Sequence, residues 1–140
     1  MASSPPAPLT DREYVALARF RQSLRVFQAF SEGAARRVGV APAQHQLLLA
    51  IRGHQGADAP VVGDLAEALQ LRHHSTVELV DRATTAGLVE RHADPTDHRR
   101  QRVVLTDAGR RVLEDLSIEH RAELRRFRSG LTEILEELAE

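Results

Sequence analysis

Between Val61 and Thr106 the hydrophobic repeat switches from helical to alternating, and this switch restricts the available folds more than any other feature. The run VVGDLAEALQL predicts a short helix with Leu65, Ala66 and Leu69 turned inward. RHHSTVELVDRATTAG predicts a second helix, ended by Gly87. LVERH and RVVLT then read as two short strands around the polar turn ADPTDHRRQ, which makes a small hairpin.

Longer helices flank this segment. Thr10 and Glu13 have the spacing of a capping box, and Leu17, Phe20, Leu24 and Phe27 follow at helical spacing, extended by Ala34 and Val38 and closed by Gly39. A further helix is expected to begin at Pro42, to carry Leu47, Leu48 and Ile51, and to stop before Gly53. Thr106 is suited to cap a last helix carrying Leu113, Leu116, His120, Leu124 and Phe127. Gly130 is expected to break it before Leu131, Ile134, Leu135 and Leu138. The expected organisation is a disordered tail over residues 1–10 and one mainly α domain over 11–140. Within it, 11–38 and 107–140 are terminal helices, and 41–106 holds the short helices and the hairpin.

Two short helices joined by a tight turn and followed at once by a basic hairpin form a winged helix-turn-helix, an architecture that docks on DNA. Placed on a helical wheel, Thr76, Leu79, Val80 and Ala83 share the packing side of the second helix. His74, Val77, Glu78 and Asp81 fall opposite, with His73 nearby and with Ser75 and Arg82 on the flanks, where phosphates would run. Glu78 and Asp81 suit cytosine amino groups or arginine partners and are unsuited to phosphate. The hairpin carries Arg91, Arg99, Arg100 and Arg102 against Asp94 and Asp97. An arginine at such a tip suits a narrow minor groove, and Asp97 is placed to orient Arg99.

Charge and composition bound the alternatives. The formal net charge of −1 argues against indiscriminate coating of nucleic acid, though not against a local basic surface. All 19 basic residues are arginine, for which a GC-rich coding sequence is a sufficient explanation. The absence of cysteine excludes disulfides and thiolate ligands. No apolar stretch approaches the ~18 residues of a membrane span, and Met1–Leu9 lacks the pattern of a secretory signal. A cytoplasmic protein is the expectation. None of the seven histidines stands at metal-ligand spacing, so neither a metal nor a cofactor is expected. No nucleophile–base pairing or Gly-rich phosphate loop suggests an enzyme. A winged-helix module that binds protein and not DNA is the competing class, which the near-neutral charge and Glu78/Asp81 would permit.

Asp97-x-Arg99, followed after five residues by Leu105-Thr106, together with LVDR at Leu79–Arg82 and GLVER at Gly87–Arg91, resembles the multiple-antibiotic-resistance-regulator (MarR) family. The resemblance implies a homodimer that binds a palindromic operator on double-stranded DNA, usually as a repressor, and that is often released by a small-molecule effector. It implies that Arg72, His73, His74, Ser75 and Thr76 face the groove and that Arg99 is the wing arginine, with Asp97 supporting the wing; the exposed face of the helix and the hairpin add Glu78, Arg82, Arg100 and Arg102 to the expected DNA contacts. Arg-His-His-Ser at 72–75 departs from the serines frequent there in the family, which leaves individual base contacts open. An effector pocket is expected near Phe27, His45, Leu48 and Arg52, with Arg52 suited to the carboxylate of an aromatic acid. The apolar positions among these are equally well explained as core. Leu17, Phe20, Leu131, Ile134, Leu135 and Leu138 are expected at the dimer interface.

Overall fold

The computed structural model describes residues 3–138. The elements run α1 Asp11–Arg37, α2 Pro42–Arg52, α3 Val62–Leu69, α4 His73–Thr85, β1 Val89–Ala93, β2 Gln101–Leu105 and α5 Asp107–Leu138. The fold is mainly α with a two-strand antiparallel hairpin, as the periodicity predicts. Residues 3–10 carry no regular secondary structure; the start of the expected tail and the last two positions of the terminal helix lie outside the described residues.

Local chemistry sets most of these boundaries. Thr10 and Glu13 form the reciprocal capping box, Thr10 N donating to Glu13 Oε2 at 2.9 Å and Glu13 N to Thr10 Oγ1 at 3.2 Å. Pro42 occupies the first turn of α2, where a missing N–H costs nothing. Gln70 ends α3 in the left-handed region at φ 55°, and Leu71 N then donates back to Ala66 O at 3.0 Å. This is the tight turn between the two short helices. Gly87, at φ 77°, ends α4 in the same way, and Leu88 N donates to Ala83 O at 3.0 Å.

The chain packs as two compact units. The first runs from Glu32 to Glu119. Its core is built from Leu47, Leu48 and Ile51 of α2, Leu65 of α3, and Leu79, Val80 and Ala83 of α4, closed by Val89 and Val103 of the hairpin. In the hairpin, Val89 pairs with Leu105 and Arg91 with Val103, so the apolar side chains of β2 alternate inward. Val103 N also donates to Pro60 O at 2.8 Å, which ties β2 to the segment before α3.

The root of the hairpin is welded to the start of α5. Thr106 N donates to Leu88 O at 3.1 Å, Thr106 Oγ1 to Gly87 O at 2.6 Å, and Gly109 N to Thr106 Oγ1 at 3.0 Å. A Cβ on Gly109 would overlap the Leu88 carbonyl. Only glycine permits this approach.

The second unit comprises the chain up to Ser31 and the chain from His120. Its helical segments run antiparallel: Ser31 bonds His120 at 2.8 Å, the Phe27 and Phe127 rings meet at a tilt with centroids 5.4 Å apart, and Arg19 pairs with Glu133 and Glu137. Ala16 and Ile134 are buried here. The break expected at Gly130 does not occur. α5 is continuous from Asp107 to Leu138, because one helical glycine costs only ~1 kcal/mol and packing along the helix outweighs it.

Candidate nucleic-acid interface

Helix α4 separates its faces as its wheel predicts. Thr76, Leu79, Val80 and Ala83 are buried, whereas Arg72, His73, His74, Glu78, Asp81 and Arg82 are exposed and Ser75 and Val77 are half-buried. Thr76 must be removed from the expected DNA contacts. It is fully buried, and its hydroxyl donates to Arg72 O at 2.9 Å, so it holds the first turn of α4 and faces the core.

The turn of the hairpin is organised by Asp94, a residue that sequence reasoning counted only as an opposing charge. Its Oδ1 accepts from Thr96 N and Thr96 Oγ1, both at 2.8 Å, and from Asp97 N at 3.2 Å. Its Oδ2 accepts from Arg102 Nη2 at 2.7 Å and Nε at 3.0 Å. The Thr96 amide and hydroxyl, then Arg102 and the Asp97 amide, hold this carboxyl far below the usual carboxylate range, against the desolvation of burial. The Asp94-x-Thr96 spacing is the legible signal for such a turn.

Arg102 is accordingly a correction. The sequence places it among the DNA-facing arginines, yet its third nitrogen, Nη1, donates to Ala59 O at 2.7 Å and its side chain is only 20% exposed. All of its guanidinium nitrogens are engaged, Nε and Nη2 with Asp94 inside the hairpin and Nη1 with the segment before α3. Arg99 has the opposite setting. Asp97 Oδ1 accepts from Arg99 N at 3.1 Å and Nε at 3.2 Å, while the Arg99 side chain stays 92% exposed at the tip. Asp97 therefore aims Arg99 outward without covering it.

Arg91 joins the hairpin to the helix. Its Nη2 lies 2.5 Å from Asp81 Oδ1 and 3.5 Å from Val77 O. Of the two carboxylates on the exposed face of α4, Asp81 is thereby neutralised. Glu78 makes no hydrogen bond or ion pair among the described residues. A cleft of about 450 Å³ separates the start of α3 from the hairpin, lined by Val61, Gly63, His73, His98, Arg99 and Arg100 among others. His73, His98, Arg99 and Arg100 give this cleft a donor-rich wall, and Arg72, His74 and Arg82 are exposed on α4.

The four expected effector-pocket residues divide between the units. His45 and Leu48 are buried in the first unit, and Arg52 lines a cleft of about 270 Å³ there, with His54, Pro60 and Val103. Phe27 belongs to the second unit, beside Phe127, where it lines a cavity of about 220 Å³. Within neither unit do the four share a cavity. Among the described residues no cluster of three or more potential ligands could hold a metal, and no helix is long and apolar enough to cross a membrane.

Residues 38–100 match the sequence model of the MarR family. The fold is similar to that of AbsC, a MarR family transcriptional regulator from Streptomyces coelicolor, with a TM-score of 0.74 and 25% identity over 95% of this chain and 90% of that one. It is also similar to a Staphylococcus aureus MepR mutant bound to an oligodeoxyribonucleotide, with a TM-score of 0.68 and 22% identity over 94% and 99% of the two chains. A third similar structure is CouR from Rhodococcus jostii RHA1 bound to p-coumaroyl-CoA, with a TM-score of 0.69 and 21% identity over 86% and 83%. No curated protein sequence matches the chain.

Proposed function

We propose that the chain, whose residues 38–100 match the MarR family, is a homodimeric MarR-type transcriptional repressor that binds a palindromic operator and is released from it by a small-molecule effector. The observation that carries the reading is the pairing of an exposed, donor-rich first turn of α4 with an outward Arg99 held by Asp97. In this reading α4 enters the major groove through Arg72, His73 and His74, with Ser75 and Arg82 at the phosphates. Arg99 enters the adjacent minor groove and Arg100 contacts its phosphate wall. The MepR complex with an oligodeoxyribonucleotide supports the DNA partner, and the CouR complex with p-coumaroyl-CoA supports a small acidic effector.

Dimerisation is supported by the apolar side chains left uncovered in the second unit. Tyr14, Val15, Val26 and Leu135 are each more than half exposed. Exposed apolar side chains on both terminal helical segments suit an association site, and a palindrome requires a two-fold reader.

Selection from a genomic fragment library at two salt concentrations tests the proposal. Enrichment of a palindrome with half-sites about one helical turn apart, weakened by salt and by Arg99→Ala, is expected. No enrichment at low salt would reject DNA binding and favour the protein-binding module.

A further inference from the structure

Glu78 is the sixth residue of α4 and projects from the face opposite the buried Leu79, Val80 and Ala83. His74 stands one turn before it on the same face. Asp81, the other carboxylate of that face, is held by Arg91 at 2.5 Å. Arg82 follows Glu78 at the i+4 spacing that favours ion pairs, yet among the described residues no such pair forms. The face proposed to enter the groove therefore carries one charge of the wrong sign, exposed and unpaired.

Such a charge has a strong consequence on DNA. The major groove is about 12 Å wide, between two rows of phosphates, so a carboxylate inside it is repelled and partly desolvated unless it meets a donor. Guanine offers acceptors there, at N7 and O6, and thymine offers O4 beside a methyl group. Adenine offers an amino donor with the N7 acceptor beside it, an arrangement that suits an amide and opposes a carboxylate. Cytosine offers its N4 amino group and, unlike adenine, carries no acceptor of its own in the groove, so a carboxylate can approach from the side away from O6 of the paired guanine.

We propose that Glu78 is a specificity-determining residue that accepts a hydrogen bond from the N4 amino group of one cytosine in each half-site. Asp81 takes no part in base reading, because Arg91 holds it. The assignment rests on the DNA-binding reading above. It adds the identity of one base and the side chain that selects it.

Selection from randomised duplexes, with wild type, Glu78→Ala and Glu78→Gln run in parallel, tests the proposal. Wild type is expected to require cytosine at one position per half-site. Glu78→Ala should reduce the preference at that position alone by roughly 5- to 100-fold, the range of one good base contact, and should bind non-specific DNA more tightly. Glu78→Gln should move the preference toward adenine, which an amide contacts through N6 and N7. Both variants should melt with wild type, since the side chain is exposed and unpaired. An unchanged base preference in Glu78→Ala, with wild type still selecting an operator, would overturn the role of Glu78 and leave the DNA reading intact. Failure of wild type to select any duplex would overturn both.

Discussion

Arg102 and Asp94 are joined at the base of the hairpin, with Nη2 2.7 Å and Nε 3.0 Å from the same carboxylate oxygen, Oδ2. The other oxygen, Oδ1, is occupied by the turn, through Thr96 and Asp97. One buried carboxylate thus shapes the tip that carries Arg99 and anchors the strand that leads away from it. Arg102 passes the same constraint on to Ala59 through its remaining nitrogen.

This arrangement predicts an acid-sensitive wing. The Asp94 carboxyl titrates lower in the folded chain than the ~3.9 of an unfolded aspartate, so its stabilisation is complete above that value and is lost as pH falls below it. Asp94→Asn should melt below wild type at pH 7. The gap should narrow in scans carried down from about pH 4. A gap that stays constant with pH would show that the charge of Asp94 contributes nothing.

Arg99 and Arg102 should separate function from stability. Arg99→Ala removes a 92% exposed side chain, so stability should change by no more than about 0.5 kcal/mol while operator affinity falls and the salt slope drops by about one. Arg102→Ala should lower the melting temperature clearly, because Asp94 and Ala59 lose their donor. Thermal melts and fluorescence anisotropy over a salt series on both variants check this contrast.

The Arg91–Asp81 pair should couple the hairpin to α4. Asp81 is 54% exposed and solvent screens the pair, so a double-mutant cycle with Arg91→Ala and Asp81→Ala should give only about 0.5–1 kcal/mol of coupling. The swap Arg91→Asp with Asp81→Arg should recover part of that stability, measured by urea unfolding.

Two glycines of α5 should respond in opposite directions to alanine. Gly109→Ala places a methyl against the Leu88 carbonyl and should cost about 1–3 kcal/mol in urea unfolding. Gly130→Ala meets open space within a continuous helix and should stabilise by about 0.5–1 kcal/mol. An unchanged Gly109→Ala would contradict the packing described for the root of the wing, and a loss of stability in Gly130→Ala would contradict the open space at that position.

Leu135→Asp tests the proposed dimer. Leu135 is 52% exposed in the single chain, so the substitution should leave the fold intact and shift sedimentation toward the monomer. Affinity for a palindrome should fall with it, since two half-sites would no longer be bound together.

Every helix and both strands were legible in the sequence, as were the Thr10/Glu13 capping box, the Thr106 cap and the buried face of α4. The candidate site was only partly so. Thr76 was placed with the DNA contacts because it follows Arg72–Ser75 in the chain, although its wheel position is on the buried side. The break at Gly130 was a local expectation that packing along the helix overrode.

What the sequence determined by itself is what short-range physics controls. Caps, helical hydrogen bonds and strand alternation act over a few residues, so the elements and their inward faces follow from spacing alone. The destinations of the charged side chains were decided by the tertiary structure. Arg99 and Arg102 lie three positions apart and read alike as arginines of one hairpin, yet one is exposed at the tip and the other is spent on partners 8 and 43 residues away. Likewise, Arg91 reaches Asp81 and leaves Glu78 unpaired. Which charges remain available to a partner depends on which acceptors folding brings within about 3 Å, and residue order carries no such distance.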